Sequence, residues 1–173
     1  MANDLAVAYR AQARSDYRVY RLLEAQTEPE YICHQLHYLQ MALEKTAKAY
    51  LAASGESFDS LRKSHRAFSK FLGILTRSRD LPGLIGLSRP QLAAQLKSMR
   101  SHVNSIEQLV PGKEQFGRNT EYPWRDNQGI QTPCAHRFDD IVGFLNRNPG
   151  RNFLKLLERA LFDDKFAACM GIE

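Results

Sequence analysis

Residues 118–125, Arg-Asn-Thr-Glu-Tyr-Pro-Trp-Arg, gather two guanidinium groups and two large aromatic rings in one short stretch. Arg118 and Arg125 are suited to grip a phosphate or carboxylate through paired N–H groups. Tyr122 and Trp124 offer flat faces on which bases or sugars can stack. Together with Asn119 these residues form the candidate ligand-binding set. The same residues also admit a structural reading, in which Tyr122 and Trp124 pin their segment onto the body of the protein and Arg125 pairs with Asp126 or another nearby acid.

Other reactive side chains are scattered more thinly. Cys134 and His136 form a close pair, but a nucleophilic thiol needs a base and a group that orients the base, and the sequence names neither. Cys33, His34 and His37 fall within one and a half helical turns, with no second ligand pair at zinc-like spacing. No metal and no cofactor are expected. His65 sits on an apolar stripe, which favours a hydrogen-bonded core histidine over a catalytic one. Glu44 and Lys48 stand four apart, the spacing of a helical ion pair.

The elements that must position these groups are helical. Residues 4–25 carry Tyr9, Ala13, Tyr17, Tyr20 and Leu23 at steps of three and four, which keeps them on one face of a 3.6-residue helix. A second helix is expected to start near Glu28-Pro29-Glu30 and to stop at Ser54-Gly55. Its stripe is Ile32, Leu36, Leu39, Leu43, Ala47 and Tyr50, with Glu44, Lys45 and Lys48 on a face expected to meet water. A third helix is predicted over 59–77, with Leu61, His65, Phe68, Leu72 and Leu75 inward, and Leu81-Pro82-Gly83 breaks the pattern. Ser88-Arg89-Pro90-Gln91 reads as a capping box. It opens a stripe of Leu92, Leu96, Met99, Val103, Ile106 and Val110 that ends at Pro111-Gly112. Helical signals resume at Phe138, Ile141, Val142 and Leu145, and Asn148-Pro149 opens a last helix with Phe153, Leu157, Ala160 and Leu161 inward.

Between these helices, residues 111–137 have no period and hold Pro111, Gly112, Gly117, Pro123, Gly129 and Pro133. Loops of that length are uncommon in compact domains. Phe116, Tyr122, Trp124 and Ile130 predict that this one is ordered against the bundle. No strand is expected. The fold class that follows is all-α: one domain over residues 1–173, an antiparallel up-and-down bundle of five or six helices with one long ordered loop at about 111–137.

The chain has 173 residues, of which 43% are hydrophobic, and a formal net charge of +5. No apolar run approaches the roughly 20 residues needed to span a bilayer, so no membrane partner is expected. The first residues lack the basic-then-apolar pattern of a leader. The 3 cysteines are widely spaced, which suits a reducing compartment and predicts a cytoplasmic protein. Charge is uneven: residues 61–137 hold thirteen Lys/Arg against five Asp/Glu, while both flanking segments are slightly acidic. A localised cationic surplus attracts polyanions, unless acidic neighbours balance it in space.

Gln40, Ala42-Leu43-Glu44-Lys45 and Lys48-Ala49, in that order, resemble the second helix of HEPN domains. Leu5–Leu23 is similar to their first helix, Ser64-His65-Arg66-Ala67-Phe68 to the opening of their third, and Tyr122-Pro123 to a later Tyr-Pro pair. The resemblance spans about residues 3–160, with 80–137 the most divergent part. It implies a helical bundle that pairs with a second copy and works in nucleic-acid-linked stress or defence systems, toxin–antitoxin systems included. Nucleotidyltransferase-like or other defence proteins are the partners it implies.

Ribonucleolytic HEPN domains carry an arginine followed by four to six residues and then a histidine, which pairing brings into one cleft. None of the 5 histidines here completes that motif. His34 and His37 have no arginine close upstream. His65, His102 and His136 have theirs at the wrong spacing, and Tyr122-Pro123 stands where a histidine should follow Arg118-Asn119. The resemblance therefore implies a non-catalytic module, acting as a homodimer, that binds RNA, a nucleotide or a partner protein. The alternative is a divergent, metal-independent ribonuclease toxin using Arg118 with His136 or His65.

Overall fold

The computed structural model describes residues 2–26, 28–63, 67–109 and 117–172. Among them, five helices of eleven residues or more build the body: α1 (Ala2–Glu24), α2 (Tyr31–Ala53), α4 (Ala67–Arg77), α6 (Arg89–Glu107) and α8 (Asn148–Phe162). Four shorter ones, α3 (Phe58–Lys63), α5 (Leu81–Ile85), α7 (Asp139–Leu145) and α9 (Asp164–Cys169), connect and cap them. The fold is an all-α bundle, and no helix among the described residues is long and apolar enough to cross a membrane.

The stripes read from the sequence become the core. Ala13, Tyr17 and Tyr20 of α1, Leu36, Leu39, Leu43, Ala47 and Tyr50 of α2, and Leu92, Leu96, Met99, Val103 and Ile106 of α6 are all buried. Antiparallel packing is visible in the polar ties. Arg10 Nε donates to Ala160 O at 3.3 Å and Tyr17 Oη donates to Glu158 at 3.0 Å, so α1 runs against α8. Phe68 and Ser69 meet Glu107 and Asn104, so α4 runs against α6. The Ser88 capping box forms as expected, with Ser88 N donating to Gln91 Oε1 at 2.8 Å. Gly55, at φ +94°, lets α2 end in a double closure: Gly55 N donates to Ala52 O and Glu56 N to Leu51 O. That is the Schellman pattern glycine makes available.

Three expectations are corrected. Glu44, Lys45 and Lys48 do not form a water-facing side of α2. Lys48 is buried and donates to Glu44 at 2.5 Å, and Lys45 reaches across to Asp16 at 2.5 Å. The physical reason is position: α1, α4, α6 and α8 all pack on α2, and a helix at the centre of a bundle has no free side. The helix expected over 59–77 is not among them: its described parts, α3 and α4, are helical, and residues 64–66, with His65, lie outside the described residues. The Leu81-Pro82-Gly83 break is itself the start of α5, because proline is tolerated in a first turn. Lastly, the loop contains a two-stranded antiparallel ribbon, β1 (Trp124–Asp126) and β2 (Gly129–Gln131), and a 3₁₀ turn over Pro133–Ala135. Asp126 Oδ1 accepts from Gln128 N at 2.8 Å and Gly129 turns the chain at φ +117°. This Asp-to-Gly closure needs only local hydrogen bonds and one left-handed residue, so no long alternating run announces it.

The core is rich in aromatic rings. Tyr50 stacks on Phe71 with centroids 4.8 Å apart, and Phe68 meets Phe71 and Phe153 edge-on. Buried tyrosine hydroxyls find partners: Tyr50 Oη donates to Ala160 O at 2.6 Å, where Arg10 Nε also donates at 3.3 Å. Arg14 Nε donates to Leu161 O at 2.6 Å. Three donors, two of them cationic, therefore close the C-terminal carbonyls of α8, the negative end of that helix.

Candidate functional site

Residues 117–137 form an ordered segment laid over the bundle, as expected; residues 110–116 lie outside the described residues. Its first anchor is backbone. Thr120 N donates to Leu109 O at 3.2 Å at the end of α6. Asn119 is buried, and its side-chain oxygen accepts from Glu121 N at 2.9 Å and Tyr122 N at 2.7 Å. Asn119 thus shapes the turn from within, and its amide is not offered to a ligand.

The second anchor is aromatic. Trp124 is 5% exposed and lies edge-on to His136 at 5.1 Å, while His136 lies edge-on to Phe138 at 4.7 Å. For Trp124 the pinning alternative is the one realised. Phe138 is fully buried at φ +50°, the one non-glycine residue in the left-handed region among those described. That conformation costs a bulky residue roughly 1–2 kcal/mol, and the packing of its ring against Trp124 and His136 offsets it.

Arg118 closes the arrangement. Its two terminal nitrogens donate to the two carboxylate oxygens of Asp140 at 2.7 and 2.8 Å, and the guanidinium carbon lies 5.6 Å over the Phe138 ring. Hydrogen bonds from Arg118 hold the Asp140 carboxyl below the usual aspartate range, against the opposing effect of burial. Arg118 and His136 therefore both contact the Phe138 ring, but the Arg118 fork is occupied by a carboxylate. His65, the other proposed partner of Arg118, lies outside the described residues.

What remains accessible is the outside of the segment over residues 122–130. Tyr122 is 60% and Ile130 69% exposed. Arg125 is exposed and stands opposite Ile130 in the ladder. Its guanidinium has no acid beside it among the described residues, because Asp126 turns its carboxylate to Gln128 N and Gln131. The segment also touches α2, where His37 Nδ1 sits 3.6 Å from Glu121 Oε1. That separation is within ion-pair range and beyond a hydrogen bond, so His37 Nδ1 is left buried without one, as is Thr120 Oγ1.

The other candidates separate. Cys33 is buried, donates to Glu30 O at 3.4 Å, and has its thiol pKa raised by burial, the opposite of an activated nucleophile. Cys134 is exposed with its sulfur 3.7 Å from Thr132 Oγ1, while the His136 ring is turned to Trp124 and Phe138. No group of three or more His, Cys, Asp or Glu suited to a metal occurs among the described residues.

Phe138 and Asp140 were missed as site residues. The one signal for them is an aromatic residue directly before two aspartates at a helix start, a pattern too common to single out. Comparison of the chain with family models, with curated proteins and with solved structures finds no match.

Proposed function

We propose that this protein is a non-catalytic, HEPN-like binding module that takes single-stranded RNA on the exposed surface of the 122–130 segment, through Tyr122, Arg125 and Ile130. It acts as a homodimer in a bacterial-type stress or defence system, beside a nucleotidyltransferase-like or comparable partner, in the cytoplasm. One observation carries the RNA reading: an exposed tyrosine ring two residues before the ribbon, and on its first strand an exposed guanidinium with no acid beside it among the described residues, flank the buried Trp124. An exposed ring gives a base a stacking surface whatever its sequence, and an adjacent arginine meets the phosphate. A rigid platform loses little conformational entropy on binding. The engagement of Arg118 by Asp140 favours the non-catalytic reading over the divergent ribonuclease, because an arginine saturated by a carboxylate is not free to steady a scissile phosphate.

The test is anisotropy of a labelled single-stranded RNA at several salt concentrations. Affinity is expected to fall with salt, with a log–log slope shallower by about 0.7 in Arg125→Ala, the loss of one phosphate contact. Tyr122→Ala is expected to weaken binding by about 1–3 kcal/mol. A flat salt dependence, or full affinity in both variants, refutes the 122–130 segment as the binding surface. RNA fragments that appear with the wild type and vanish with Arg118→Ala would establish the ribonuclease instead.

A further inference from the structure

The end of α2 farthest from the ribbon borders a second feature. The last turn of α2, one face of α4 and the end of α9 line an open cleft of about 790 Å³, within the size range of small-molecule sites. Leu51 on its wall is fourteen residues along α2 from His37, so about 21 Å of helix separates the cleft from the segment that carries Tyr122.

Three facts about this cleft point the same way. Arg77 and Arg79 stand two residues apart at its mouth, both exposed and neither with a carboxylate or hydrogen-bond partner for its guanidinium among the described residues. Lys70 and Asp80 also line it, as does Glu56, which lies 3.6 Å from Lys70, so cations outnumber acids by one. Leu51, Ile74 and Met170 make part of its lining apolar. Finally, Gly73 forms the floor from the interior of α4, and a Cβ built there meets nothing within 4 Å. Glycine inside a helix costs stability relative to alanine. Among the described residues no group packs over the Gly73 Cα, so the cleft surface there is bare backbone.

We propose that this cleft binds a small nucleotide. Its phosphates would be held by the forks of Arg77 and Arg79, and its body would cross Gly73 against Ile74 and Met170. Paired guanidinium groups match the oxygens of a diphosphate, and the apolar part of the lining, with bare backbone at Gly73, accommodates the remainder. This site is independent of RNA binding on the 122–130 segment, and either can fail without the other.

Isothermal titration with ADP, adenosine and inorganic phosphate tests it on the full chain. ADP is expected to bind saturably, adenosine not at all, and phosphate far more weakly than ADP. The double variant Arg77→Ser/Arg79→Ser should lose ADP affinity by about tenfold or more at unchanged Tm, since both side chains are exposed. Gly73→Ala separates binding from stability: its Tm should rise by about 2–3 °C while ADP affinity falls. No saturable ADP binding up to about 1 mM, equal affinity for ADP and phosphate, or full affinity in the arginine variant overturns the proposal. So does a Gly73→Ala protein with raised Tm and undiminished affinity.

Discussion

Removing the Arg118 guanidinium tests how the segment over the bundle is fastened. In Arg118→Ala two hydrogen bonds to Asp140 and the stacking over Phe138 vanish together. The Arg118 side chain is 32% and that of Asp140 54% exposed, so the ion pair must be discounted for solvent screening. A bidentate pair at that exposure is worth about 0.5–1 kcal/mol, and the cation over the ring adds about 0.5 kcal/mol. The sum, about 1–1.5 kcal/mol, corresponds to a Tm lowered by about 3–5 °C in a chain of this size. A double-mutant cycle with Asp140→Ala isolates the pair, with an expected coupling of about 0.5–1 kcal/mol that shrinks in high salt.

The pH dependence has a definite sign. The Asp140 carboxyl titrates lower in the folded chain than in the unfolded one. Its contribution is therefore complete above the ordinary aspartate value and fades as pH falls through the lowered one. The stability gap between wild type and Arg118→Ala should accordingly narrow only below about pH 4, down to the roughly 0.5 kcal/mol of the ring contact, which acid does not titrate. Thermal melts by circular dichroism across the acid range read this directly. A coupling below about 0.3 kcal/mol, or a stability gap unchanged through strong acid, would show that the pair does not fasten the segment.

Three further outcomes follow from the packing. Glu107 is buried and accepts from Phe68 N at 2.7 Å and Ser69 Oγ at 2.6 Å at the start of α4; Glu107→Ala should cost about 1–3 kcal/mol, with amide exchange in the first turn of α4 accelerated. Gly150→Ala should destabilise despite alanine's better helix propensity, since its Cβ would run into the backbone of Phe144 and Leu145; a Tm at or above wild type would contradict that packing. Burial is the largest effect raising the hydroxyl pKa values of Tyr17, Tyr20 and Tyr50. Their contribution is present below the unfolded tyrosine value of about 10 and is lost as pH rises past it, so their tyrosinate absorbance should appear together with alkaline unfolding and not before it.

The helices were legible because burial repeats. Leu92, Leu96, Met99, Val103 and Ile106 recur at steps of three and four for the same reason that they are all buried in α6. Periodicity did not reveal how many neighbours a helix has, which is why Lys48 was expected in water and lies buried against Glu44. A polar stripe on a central helix and a polar stripe on a surface helix are identical strings. The site was legible as composition and opaque as geometry. Arg118, Tyr122, Trp124 and Arg125 stand out as residue types, but their division into fasteners and exposed groups depends on Phe138 and Asp140. Those residues lie far enough along the chain that only the fold brings them to Arg118.

That division has a physical logic. A segment without regular helix must be tied by side chains, and the ties here consume the groups that looked most reactive: the Trp124 indole faces inward, the Asn119 amide closes its own turn, and the Arg118 fork grips Asp140. The backbone strain at Phe138 is tolerated because its ring is shared by His136, Trp124 and Arg118 at once. Once those contacts are made, Tyr122, Arg125 and Ile130 have no inward role left among the described residues. A partner that covers them recovers the burial without bearing the cost of ordering the segment.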